Sequence, residues 1–95
     1  MAKLEARFHP PNRPSGSYII VGHVTWPADA AQAEARIEPS PMLALAPAPA
    51  TILATLRHLV RRVGRSWKQL ETLRTEHWSF VDVAATLPAM SENPS

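Results

Sequence analysis

The sequence predicts an α+β mini-domain: a basic αα-hairpin packed on a small two-stranded antiparallel sheet, with flexible proline-rich arms. Three observations lead there. Residues 51–78 carry two apolar stripes at helical spacing on either side of Gly64, with arginines clustered on the outer side. Two short stretches, 17–26 and 78–84, are rich in aromatic and β-branched residues, the composition of strands. Ten prolines, concentrated in residues 10–14 and 39–49, punctuate what remains.

In chain order, residues 1–16 contain Pro10, Pro11, Pro14 and Gly16 and read as a flexible arm. A single small domain is expected over 17–87. It begins with the strand 17–26 (SYIIVGHVTW), bounded by Gly16 and Pro27. Strict alternation puts Tyr18, Ile20, Gly22, Val24 and Trp26 on one face and Ile19, Val21, His23 and Thr25 on the other. Gly22 suggests a bulge or a close backbone approach. Residues 27–37 (PADAAQAEARI) read as a short outer helix, because Pro27 suits a first helical position and alanine is the best helix former. Residues 38–50, with Pro39, Pro41, Pro47 and Pro49, read as a semi-rigid connector from which Met42, Leu43 and Leu45 could dock on the fold.

The helix expected over 51–63 lines up Ile52, Leu56, Leu59 and Val63, flanked by Leu53 and Val60. At 100° per residue these span an arc of about 120°, the width of a core-facing stripe. Arg57, His58, Arg61 and Arg62 fall opposite. Gly64 stands where a left-handed residue ends a helix, and Ser66 with Gln69 forms a capping-box pattern that starts another. The second helix would bury Trp67, Leu70, Leu73 and His77. A strand at 78–84 should pair with the strand at 17–26, and residues 88–95 read as a disordered tail.

Charge is distributed unevenly. Residues 1–56 hold four basic and four acidic side chains. Residues 57–74 hold Arg57, Arg61, Arg62, Arg65, Lys68 and Arg74 against Glu71 alone, and residues 75–95 carry three acids. A net charge of +2 therefore conceals a local patch of +5. Cysteine is absent, which removes disulfide frameworks and thiolate metal sites. The start of the chain has no apolar signal-peptide core, and no stretch approaches the ~18 apolar residues of a membrane span. A cytoplasmic protein is expected.

Around Gly64 the chain resembles the DNA-binding helix-turn-helix. Leu59, Val63, Leu70 and Leu73 take four of that motif's apolar offsets from the glycine. Val60 and Arg65 depart from it, where the motif has a small residue and a buried aliphatic. The resemblance implies that Ser66, Lys68, Gln69, Glu71 and Thr72 would face a DNA groove. Arg57, Arg61, Arg62, Arg65 and Lys68 are the candidate nucleic-acid contacts, gripping phosphates, which give affinity without sequence information.

The expected function is that of a small, non-enzymatic regulatory or accessory protein that binds nucleic acid. The alternative is an adaptor, inhibitor or assembly subunit that binds a protein partner, or a second copy, through Trp26, the sheet edge and the hairpin; tryptophan and arginine are enriched in interface hot spots. No catalytic residue, cofactor, metal or small-molecule substrate is expected. His9, His23, His58 and His77 lack ligand spacing, Asp82 has no second carboxylate nearby in sequence, and there is no phosphate loop.

Overall fold

The computed structural model describes residues 2–14, 16–27, 35–64, 66–73 and 75–83. It is an α+β fold with a four-stranded antiparallel sheet, one long helix and one short one. The strands are β1 (Ala2–Phe8), β2 (Ile19–Trp26), β3 (Arg36–Pro39) and β4 (Trp78–Asp82), in the spatial order β3-β2-β1-β4. A 3₁₀ turn at Pro41–Leu45 leads into helix α1 (Pro49–Val63), and α2 (Trp67–Glu71) follows. This overturns the basic hairpin on a two-stranded sheet.

The largest correction is β1. Residues 2–8 were expected in a flexible arm, yet they form a central strand paired with both β2 and β4. The sequence AKLEARF alternates strictly, so a strand places Ala2, Leu4, Ala6 and Phe8 on one side and Lys3, Glu5 and Arg7 on the other. Wound as a helix, the same apolar residues would scatter around the axis and leave no stripe. Ala2, Leu4 and Ala6 are buried. The prolines at 10, 11 and 14 fall after the strand and form the turn toward β2.

A β-bulge in β2 accounts for the second correction. Ala6 pairs with Gly22, but Arg7 pairs with Ile20, so Val21 is the extra residue. Its insertion reverses the alternation upstream: Val21 and Gly22 are both buried, and Ile19 moves to the side of Phe8. Simple alternation had put Val21 and Ile19 with His23. Gly22 is needed because β3 runs close by; a Cβ there would lie 2.4 Å from the carbonyl oxygen of Glu38.

β3 lies where the end of the outer helix 27–37 and the start of the connector 38–50 were expected. Arg36 and Ile37 are extended and pair with Thr25 and Val24. The rest of that expected helix, 28–34, lies outside the described residues, as do residues 84–87 and the tail 88–95. Pro39 closes β3 at the sheet's edge, where a missing N–H breaks no ladder bond. Ser40 then caps the 3₁₀ turn, its Oγ accepting from the Met42 amide at 3.1 Å. Leu43 docks in the core, whereas Met42 and Leu45 are exposed.

One face of the sheet and the helical elements share a single core, in which Leu4, Val21, Val24, Leu56 and Leu70 are the largest fully buried side chains. On α1, Ile52, Leu56 and Val60 are buried at i, i+4, i+8, with Leu53, Leu59 and Val63 packed against them. Gly64 ends the helix at φ 58°, as its position suggested. The expected capping box is not formed: the Ser66 side chain makes no cap bond, and the Gln69 amide donates to the Ser66 carbonyl at 2.8 Å. Thr72 ends α2 after five residues by donating both its amide and its hydroxyl to the Lys68 carbonyl. β4 pairs with β1, not with β2 as expected.

Candidate functional site

Two surfaces carry chemistry. The first is the outer side of α1. Arg57, His58, Arg61 and Arg62 are all exposed there. Spacing of four residues stacks Arg57 over Arg61 and His58 over Arg62, forming a ridge along the last two turns. Residues 49–63 contain no acidic side chain. Among the described residues, none of these arginines is in an ion pair. Two of them sit in the last turn, where the helix dipole favours cations.

The other expected site residues divide. Lys68 is exposed on α2, its Nζ 5.7 Å from the centroid of the Trp67 ring. Arg65 lies outside the described residues. Trp26, expected to be exposed for a partner, is buried, and its Nε1 donates to the Gly64 carbonyl at 2.9 Å. That bond ties the end of β2 to the end of α1. A five-residue α2 is too short to act as the recognition helix of a helix-turn-helix, so the groove-reading set Ser66, Lys68, Gln69, Glu71 and Thr72 loses its geometry.

The second surface is a cleft of about 420 Å³ at the end of β1, lined on one side by the prolines after the strand, Gly16 and Ser17 and on the other by Leu73 and residues 75–79. His9 continues β1 there, its amide donating to the His77 carbonyl at 2.7 Å. The two ring nitrogens of His9 are both engaged: Nδ1 is 3.1 Å from the Ser17 carbonyl oxygen and Nε2 is 2.8 Å from Ser79 Oγ. A carbonyl can only accept, so Nδ1 carries the proton. In the neutral ring Nε2 then presents its lone pair to the Ser79 hydroxyl. His77 Nδ1 lies 3.2 Å from the His9 carbonyl and its Nε2 lies 3.6 Å from Glu76 Oε1. Sequence reading treated these histidines as isolated. His9 and Ser79 are 70 residues apart, and only the β1–β4 pairing brings them together.

Beside the cleft, the polar side of β1 is knitted into the sheet. Arg7 Nε lies 2.6 Å from Glu5 Oε2, His23 Nε2 lies 3.9 Å from Glu5 Oε1, and the Arg7 guanidinium rests 4.4 Å from the Tyr18 ring centroid. Among the described residues, no three His, Asp or Glu side chains gather as a metal site, and no helix is long and apolar enough to cross a membrane. No protein-family model, curated protein or solved structure matches the chain.

Proposed function

We propose that this chain is a small binding protein that contacts the phosphates of nucleic acid through Arg57, Arg61 and Arg62 on α1 and Lys68 on α2. The carrying observation is a helix face with three exposed arginines, no acid of its own and no ionic partner among the described residues. Structural arginines are usually spent on carboxylates, as Arg7 is. Guanidinium groups left in water keep their fork of donors for an incoming phosphate. Phosphate contacts position a protein without reading bases, so the proposal carries affinity and no sequence preference.

Anisotropy titrations with labelled DNA and RNA, single- and double-stranded, test it across a salt series. Three to four phosphate contacts on duplex DNA give a log–log salt slope of about −3. Reversing charge in R57E/R61E/R62E should abolish the interaction. Absence of binding at low salt, or equal affinity of the reversed variant, ends the proposal.

A protein partner is the second reading, and its support has moved from Trp26 to the 3₁₀ turn. Met42 and Leu45 are 58% and 81% exposed, the most open large apolar side chains described. Binding through them would be insensitive to salt and lost in Leu45→Asp.

A further inference from the structure

We propose that Ser79 is a nucleophile, activated by His9, that takes the acyl group of small carboxylic esters in the cleft at the end of β1. Two hydrogen bonds carry the inference. The Ser17 carbonyl, 3.1 Å from His9 Nδ1, holds the ring proton on that nitrogen. The lone pair of Nε2 is thereby directed at Ser79 Oγ, 2.8 Å away. Nucleophile, base and a third group orienting the base are the minimum set for a serine that attacks carbonyl carbon. Here the orienting group is a backbone oxygen rather than a carboxylate.

The setting fits an acyl substrate. Both residues line the 420 Å³ cleft, within the range of about 300–1,000 Å³ usual for small-ligand sites. Pro10, Pro11, Pro14 and Leu73 supply apolar wall for a short acyl chain, and Arg13 lies on the same cleft. Ser79 and His9 are each half-buried, so a reagent reaches them while bulk water is partly excluded. Ser79 also sits on a paired strand, opposite Arg7, which fixes its backbone.

The chemistry balances without any further reactant than water. Ser79 Oγ bonds to the ester carbonyl carbon as its proton passes to His9 Nε2. The carbon–alkoxide bond then breaks, and the same proton leaves with the departing alcohol. Water attacks the acyl-serine, His9 Nε2 again accepts a proton, and the Oγ–acyl bond breaks as that proton returns to Ser79. Ester and water become alcohol and acid. None of this involves α1, so the reactivity stands or falls apart from phosphate binding.

The test is incubation of the full chain with p-nitrophenyl acetate, followed by peptide mass spectrometry, beside the same chain in denaturing urea. The expected result is one acetyl group on the peptide containing Ser79 in the folded chain alone, formed with a burst of p-nitrophenol. His9→Gln retains a side chain able to hydrogen-bond but not to act as a base, and should slow Ser79 acetylation by about 100-fold or more. Ser79→Ala should remove the adduct. Circular dichroism checks that each variant is folded. No acetyl group on Ser79, labelling equal in urea, or an undiminished rate in folded His9→Gln overturns the proposal and leaves the His9–Ser79 bond as a strand-end tie.

Discussion

On β1 the guanidinium of Arg7 is held by Glu5 and lies over Tyr18, while on α1 Arg57, Arg61 and Arg62 extend into water with no ionic partner described. Both elements send an apolar row into the same core: Ala2, Leu4 and Ala6 from the strand, Ile52, Leu56 and Val60 from the helix. The difference lies on their polar sides. On a strand, residues two apart share a face, which sets Glu5 beside Arg7, and pairing with β2 adds His23 across the ladder from Glu5. A helix on the surface has only its own turns beside it. Where those turns hold no acid, its cations stay available. The same residue type is therefore structural in one region and open to a partner in the other.

This contrast can be broken at the core first. Leu4→Ala and Leu56→Ala should each cost about 2–5 kcal/mol in urea unfolding, since both side chains are fully buried. A large loss in only one would mean that strand and helix do not share one cooperative core. Trp26→Phe should cost about 1 kcal/mol by removing the bond to the Gly64 carbonyl while keeping most of the ring's packing. Hydrogen exchange at the C-terminal turn of α1 would rise with it; an unchanged rate would deny the link between sheet and helix end.

The smallest effects compare the arginines themselves. Arg7→Ala should lower thermal stability by roughly 0.5–1 kcal/mol, because its pair is only partly shielded from solvent. Arg61→Ala should stay within about 0.5 kcal/mol, the usual range for an exposed side chain without partners. Equal losses would show that α1's arginines are structural after all.

Much of α1 was legible because its evidence is local. The apolar period, the arginines opposite and the glycine at the end all lie within fifteen residues, and the helix closes its own hydrogen bonds. Only its start differed, at Pro49 rather than residue 51. β1 was missed although AKLEARF alternates without a fault. Its residues are good helix formers, three prolines follow, and a strand has no stability until others pair with it. The bulge at Val21 turned a correct strand into a wrong assignment of faces, because one inserted residue reverses every side chain upstream of it. α2 was overextended: its apolar residues at 67, 70 and 73 fit helical spacing, but Thr72 closes the turn.

What the sequence alone determined is an amphipathic helix with a basic outer side, the stop at Gly64 and the existence of the strands at 19–26 and 78–82. Tertiary structure decided the rest: that the chain's start is the centre of the sheet, that Trp26 is inside, and that His9 meets Ser79. The physical reason is range. Helical contacts span three or four residues and leave their period in the chain, whereas ladder partners and the sites they assemble are joined by pairing across tens of residues.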